Sequence, residues 1–246
     1  MEIFQSPGGS AQRGKVLILL AGIFFFAASC KKNTDTVVES GADYIPIASG
    51  NYVIYHVDSI HFDDFTKKSD TFSFQLKEEI GESFVDLSGN TSYKLNRYTR
   101  MDTGNVSALP WQLRNVWYVT KLKERYERVE ESYRYTRLKF PMTEGSYWNG
   151  NAFNNNEEWD YTFNNVDRPT TIKTNKWDST VTVIEIDDEL LISKKFYKEV
   201  YAKHIGLVYR GYTDVASQDI ASGKPILQRI EKGVIYEQFY LSHGSN

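Results

Sequence analysis

Cysteine is nearly absent from this chain, in which Cys30 is the only one among 246 residues. A single thiol cannot form an internal disulfide, so core packing and strand pairing must hold the fold. Histidine is also scarce, and His56 and His61 would face opposite sides of one regular strand. Paired CxxC, HExxH and glycine-rich phosphate-binding motifs are missing. We therefore expect no metal ion and no cofactor.

Neither sign of charge predominates, because the chain has 29 basic and 32 acidic residues and a formal net charge of -3. This balance gives no electrostatic basis for binding nucleic acid. The GxSxG turn that would present a serine nucleophile is absent too. The hydrophobic fraction of 41% is nevertheless enough for a globular core. These features favour a non-enzymatic globular protein.

Long hydrophobic runs are limited to residues 16–28, which follow Arg13 and Lys15. The run is shorter than the roughly 20 residues of a membrane-spanning helix, and its order matches an export signal. It ends in Ala27-Ala28-Ser29-Cys30, which resembles the bacterial lipobox, where a lipid is joined to the cysteine sulfur. We predict a signal peptide over residues 1–29 and a membrane anchor on Cys30. The alternative is an ordinary signal or an uncleaved anchor, with Cys30 incidental.

The polar residues 30–43 predict a flexible tether after the lipidated cysteine, and residues 44–246 predict a single domain. No later stretch has the composition of a linker, and no repeat of solenoid length occurs.

The domain shows mainly the period of two that is typical of strands. It predicts strands over residues 52–57 and 72–77, and a hairpin in which residues 85–87 and 92–98 flank the turn 88–90. Further strands are predicted at 134–140, 180–186, 196–202, 206–212, 227–231 and 234–241, the last two joined across Lys232-Gly233.

Residues 116–133 carry two competing patterns. Alternation over 116–122 predicts a strand, whereas Leu122, Tyr126, Val129 and Tyr133 recur at helical spacing. We favour a strand for 116–122 and leave 123–131 open.

Short spacings between the predicted strands imply antiparallel pairing, because parallel pairing needs long crossovers. The sequence therefore predicts a mainly β fold, a single curved antiparallel sheet that closes towards a barrel or a sandwich. Aromatic residues, at 15% of the chain, agree with this fold class.

Three stretches resemble the lipoproteins of the Bacteroidetes type. The first runs from Tyr44 and Pro46 through residues 50–55 (GNYVIY), similar to a Y-x-P-x-x-x-G-N-x-W-x-Y opening. The others are residues 140–148 and 199–209. The resemblance implies a location in the cell envelope, on the outer membrane, and makes glycan handling a plausible context. It implies no activity.

Residues 148–163 (WNGNAFNNNEEWDYTF) are the richest in aromatic and amide side chains. Aromatic faces stack on sugar rings, and amides and carboxylates bond to hydroxyls. The candidate glycan-binding residues are Trp148, Asn151, Asn155, Glu158, Trp159 and Tyr161. The alternatives are a turn-rich loop with its Trp rings packed inward, or oxygen ligands for Ca²⁺.

The sequence thus predicts a membrane-anchored envelope protein with a binding role, its partner a glycan or another envelope protein. A carbohydrate-active hydrolase is the alternative, with Glu157 or Glu158 and Asp160 as acid and base.

Overall fold

The structure, a computed structural model, describes residues 1–2, 41–102, 109–221 and 223–246. The rest of the predicted signal peptide, Cys30 and tether residues 31–40 lie outside the described residues. A compact unit spans Glu39–Asn246. It holds every strand and every described core residue. No helix among the described residues is long and apolar enough to span a membrane.

Twelve antiparallel strands form one sheet in the order β6-β5-β4-β3-β2-β1-β12-β11-β10-β9-β8-β7. Apart from two 3-10 turns, at Ala42–Tyr44 and Ile226–Gln228, the described elements are all strands, which confirms the predicted mainly β class. The strands are β1 Asn51–Asp63, β2 Lys68–Val85, β3 Thr91–Met101, β4 Gln112–Lys121, β5 Arg125–Glu130, β6 Tyr133–Lys139, β7 Tyr147–Asn149, β8 Asp160–Ile172, β9 Asn175–Glu189, β10 Ser193–Ala202, β11 Gly206–Ala216 and β12 Lys232–Ser245.

The sheet curves until its two edge strands, β6 and β7, approach each other. The amide of Thr136 in β6 donates to the carbonyl of Gly150, just after β7, at 2.9 Å. The Trp148 indole Nε1 donates to the Thr136 carbonyl at 2.8 Å, and the Asn154 amide donates to the Arg134 carbonyl at 2.9 Å. We call these contacts between β6 and residues 148–154 the seam. They bring the sheet close to a closed barrel, one of the two closures expected.

The main apolar core fills one part of this barrel, because alternate residues of each strand face inward. It contains aromatic and aliphatic side chains from most strands, including Leu95, Trp117, Val119, Leu138, Trp148, Phe163, Val183 and Tyr201. Tyr44 and Ile45, which precede β1, pack against the same cluster and are buried.

Residues 125–130 form strand β5, so the helical interpretation of residues 122–133 is wrong. Tyr126 and Arg128 are both buried, and Arg128 reaches Glu199 of β10 at 2.6 Å. Pairing with β4 and β6 supplies the backbone partners that a helix would otherwise provide.

The strand predicted at 227–231 is also wrong, because Ile226–Gln228 forms a 3-10 turn after Pro225. Lys232-Gly233 is not a turn but the start of β12, where Gly233 pairs with Phe62 and Val215. A Cβ on Gly233 would lie 2.1 Å from the Asp214 carbonyl oxygen, so only glycine fits this close approach. The other predicted strands and the β2–β3 hairpin are confirmed.

Candidate functional site

Charged side chains fill the part of the barrel beyond the apolar core. They come from strands on both sides of the sheet order, so their contacts cross the barrel interior. We call this set the interior charge cluster. Its members are Arg128, Glu130, Arg137, Glu185, Glu199 and Arg210.

Glu199 and Glu130 each bind more than one arginine. Arg128 contacts Glu199 at 2.6 Å and Glu130 at 2.8 Å, and Arg210 contacts Glu130 at 3.1 Å and Glu199 at 3.4 Å. Arg137 also donates to Glu130. With several donors around each carboxylate, the arrangement satisfies the condition for keeping buried charge.

Glu185 has one main cationic partner. Nη1 of Arg137 lies 2.7 Å from its carboxylate and 3.3 Å from the hydroxyl oxygen of Tyr161. Arg137 therefore touches both Glu185 and Glu130 with its two terminal nitrogens. These two carboxylates occupy neighbouring positions around a single guanidinium group.

The pKa values of the three glutamates diverge. Burial alone would raise the pKa of Glu199, but Arg128, Arg137 and Arg210 together lower it to about 2. Against the same burial, the three arginines hold the pKa of Glu130 well below its usual range. For Glu185 burial prevails over the attraction of Arg137, so its pKa is raised. The cluster thus combines two firmly ionised carboxylates with one that holds its proton more readily.

Four buried side-chain atoms have no partner among the described residues, and two of them are donors at the interior charge cluster: Nε of Arg137 and Nε2 of Gln238. Such groups cost free energy unless a water or a ligand accepts their hydrogen bond. Gln238 pairs in register with Arg210 of the cluster. Both open donors therefore call for an acceptor oxygen.

A cavity of about 360 Å³ opens onto the cluster beneath residues 148–163. From that segment it is lined by Asn151, Asn156, Glu157, Trp159 and Tyr161. From the cluster it is lined by Glu130, Arg137, Glu185 and Arg210, with Tyr135 and Tyr197 beside them. The volume is in the range of small-molecule sites, and a few polar groups converge on it.

Aromatic rings continue from this cavity across the sheet. Trp159 meets Tyr197 edge-on at 5.1 Å between ring centroids. Tyr197 stacks on Tyr212 at 5.1 Å, and Tyr212 stacks on Tyr236 at 4.9 Å. We call Tyr197, Tyr212 and Tyr236 the tyrosine ladder. Its rings are cross-strand neighbours on β10, β11 and β12.

The structure divides the six candidate residues into two groups. Asn151, Trp159 and Tyr161 line the cavity, whereas Trp148, Asn155 and Glu158 do not. Asn155 and Glu158 are exposed. Trp148 is 6% exposed and packs on Phe163 at 4.4 Å, so its ring serves the core and the seam. The inward-packing alternative therefore describes Trp148 correctly.

Part of the asparagine content serves local structure. Asn149 accepts a bond from the Asn151 amide, and the side chain of Asn151 donates to the Glu157 carbonyl. These bonds order the loop, as expected for Asn in turns. Asn156 contacts the Tyr135 hydroxyl at 3.3 Å across the seam.

The interior charge cluster was missed by the sequence interpretation. Its charged residues lie in strands β5, β6, β9, β10 and β11. The sequence did contain a signal. Tyr126, Arg128 and Glu130 are spaced two apart and so share one face of β5, and Glu199 shares a face of β10 with Tyr201. Charges in phase with inward aromatic residues indicate a polar interior.

Two of the histidines, His56 and His61, have acidic or hydroxyl partners. His56 lies 2.6 Å from Asp102 and 3.0 Å from Asp58, and His61 lies 2.9 Å from the Ser59 hydroxyl. Within the described ranges, no three His, Cys, Asp or Glu side chains are grouped as metal ligands.

Comparison with known proteins adds a single structural likeness to these observations. No family model and no curated protein matches the chain. The chain is similar to a solved structure from Bacteroides fragilis NCTC 9343, whose protein is described as a predicted exported protein with a YmcC-like fold. The aligned region covers 81% of this chain and 98% of that one. The identity is 10% and the TM-score is 0.36. A likeness of this degree carries no conclusion about function.

Proposed function

We propose that this protein is a lipid-anchored lipoprotein of the cell envelope, placed on the outer membrane, whose barrel binds a glycan in the cavity beneath residues 148–163. The anchor is the lipid on Cys30, in keeping with the resemblance to Bacteroidetes-type lipoproteins. The observation that carries the binding role is the meeting of Trp159 and Tyr161 with buried charged groups around one cavity.

The chemistry of the lining suits a hydroxyl-rich ligand. Sugar rings offer an apolar face to aromatic side chains, and Trp159, Tyr161 and Tyr197 lie at the cavity. Hydroxyl groups donate to carboxylates such as Glu130 and accept from donors such as Arg137. Arg137 Nε, which has no partner among the described residues, is the donor that a ligand oxygen would satisfy.

Glycan binding is tested with the Glu39–Asn246 unit. We expect a soluble oligosaccharide from a broad panel to quench or shift tryptophan fluorescence, and Trp159→Ala to weaken its binding at least tenfold. Trp177→Ala is the matched control, because Trp177 is also half-buried and also meets a tyrosine edge-on, Tyr240, away from the cavity. If no glycan binds, or if both variants lose binding equally, the proposal fails.

The second candidate is a carbohydrate-active hydrolase, which rests on the contrast between Glu185 and Glu130. Two carboxyls whose pKa values are pushed apart within one cavity are the pattern of an acid and a base. Of the acid and base considered from sequence, Glu157 lines the cavity, whereas Glu158 and Asp160 do not. Release of reducing sugar by the wild type and not by Glu185→Gln would favour the hydrolase over a binding role.

The sequence also predicts another envelope protein as the alternative partner. This alternative should be tested if no glycan binds. Cross-linking in intact cells would identify it.

A further inference from the structure

A second cavity, of about 270 Å³, lies within the barrel and shares no lining residue with the cavity beneath residues 148–163. Its rim is formed by residues 45–47, by the β10–β11 turn and by the last residues of β12. An enclosed 150 Å³ apolar cavity is large enough for benzene, so this cavity has room for roughly ten carbon atoms.

The walls of this second cavity combine tyrosine side chains with aliphatic ones. Ile47, Val53, Ile80, Leu95, Ile205 and Leu207 all contribute to them. Protein interiors are close-packed and rarely keep voids larger than a water molecule, because unfilled apolar space loses dispersion contacts. An apolar ligand would recover those contacts.

Three polar groups at the inner end of the second cavity are already paired. Glu78 accepts from Arg97 at 2.8 Å, and Arg128 donates to Glu199 at 2.6 Å. The Tyr55 hydroxyl donates to the Leu207 carbonyl at 3.0 Å. A ligand head group buried there would meet side chains that are already bonded to one another and would lose its hydration.

The mouth of the second cavity has the opposite character. Asn51, His204, His243 and Ser245 line it, and His204 is exposed. A polar head group at this position keeps contact with water while its chain lies among the aliphatic side chains. The cavity is therefore apolar inside and polar at its mouth, which suits an alkyl chain that enters with its apolar end first.

We propose that the second cavity binds the single alkyl chain of a free amphiphile such as a fatty acid, with about ten carbons inside and the polar head at the mouth. One chain, and not the two of a bilayer phospholipid, matches the volume. The site is independent of the glycan proposal.

Calorimetric titration of the Glu39–Asn246 unit with hexanoate, octanoate, decanoate and tetradecanoate, below their micelle concentrations, tests the proposal. Each buried methylene should strengthen binding roughly fourfold. We expect this gain up to about ten carbons, and little beyond, because further methylenes would extend past the mouth. Decanol should bind about as well as decanoate, since the head stays in water.

Two variants fill the cavity from different sides. Val53→Phe and Ile205→Phe should each weaken decanoate binding at least tenfold. The matched controls are Val85→Phe and Ile220→Phe, which make the same changes at exposed positions and should leave binding unchanged. Thermal melts identify a variant that fails to fold. If one cavity variant does not fold, the binding measured for the other one tests the proposal.

Three results of the titrations would overturn the proposal. These are no binding of any chain, binding that does not depend on chain length, and equal binding by the cavity variants and their controls. Co-sedimentation with phosphatidylglycerol vesicles without binding of decanoate would also overturn it, because the chain would then come from a bilayer.

Discussion

The backbone amide of Thr136 donates to the carbonyl oxygen of Gly150 at 2.9 Å, which joins the two edges of the twelve-stranded sheet. Open sheet edges leave unpaired donors and acceptors, and this seam covers one such edge. Trp148 supports the seam through its bond to the Thr136 carbonyl. The segment singled out as a ligand site therefore also holds the barrel together.

We expect Trp148→Phe to lower the free energy of unfolding by about 1–3 kcal/mol, because it removes the indole donor and some buried volume. Urea unfolding measures the loss, and hydrogen exchange at the Thr136 amide should become faster. Trp111→Phe, at a partly exposed indole over Arg100, is the control and should change stability little. Unchanged exchange at Thr136 in Trp148→Phe would show that the indole does not support the seam.

Glu199→Gln should destabilise the protein strongly, by about 3–5 kcal/mol, because it removes one of the two ionised carboxylates that balance three buried arginines. Glu199 is fully buried beside Arg128 and Arg210. Urea unfolding at pH 7 measures the effect. Glu82→Gln is the control, since Glu82 is exposed and pairs only with Lys94. Equal stability of the two variants would contradict a stabilising role for the interior charge cluster.

Low pH should destabilise the folded protein through protonation of Glu199. The pKa of Glu199 is about 2 in the folded protein against 4.5 without its surroundings. A depressed pKa contributes stability above the unfolded value, and that stability is lost as pH falls through the folded value. We expect the free energy of unfolding to decrease between pH 4.5 and pH 2. Glu199→Gln should show a shallower decrease over that interval, and an identical slope would exclude Glu199 as its source.

The contribution of Glu185 to stability should have the opposite dependence on pH. Its raised pKa means that its contribution is present below the unfolded value of 4.5 and is lost as pH rises through the folded value. Glu185→Gln should therefore cost less than Glu199→Gln at pH 7, about 1–2 kcal/mol. The cost should shrink as pH rises from 4.5 through the folded value. A cost that grows with pH would mean that the carboxylate, and not the acid, is the favoured form.

Cys30→Ser should abolish lipid attachment in the native host. Mass spectrometry of the mature amino terminus is expected to find the wild-type chain beginning at a lipid-bearing Cys30. The variant should keep its signal segment or be cut elsewhere, and should leave the membrane fraction only in the second case. An unmodified wild-type thiol would refute the anchor.

Patterns of alternate residues were enough to predict the β class and most strands, because a half-buried strand must alternate. They left residues 123–131 open, because four apolar residues over 122–133 recur at helical spacing while Arg128 and Glu130 face inward. Partners for those charges come from β10 and β11, far along the chain. No local pattern contains that pairing.

The sequence by itself determined the antiparallel β architecture and the export-signal pattern at residues 13–30, since both depend on short-range order of side chains. Only the tertiary structure decided that the sheet approaches a barrel, that Trp148 packs inward, and that Trp159 meets Glu185 and Arg137 at one cavity. These outcomes depend on which distant strands become neighbours. A buried charge is stable only once its partner from another strand is beside it.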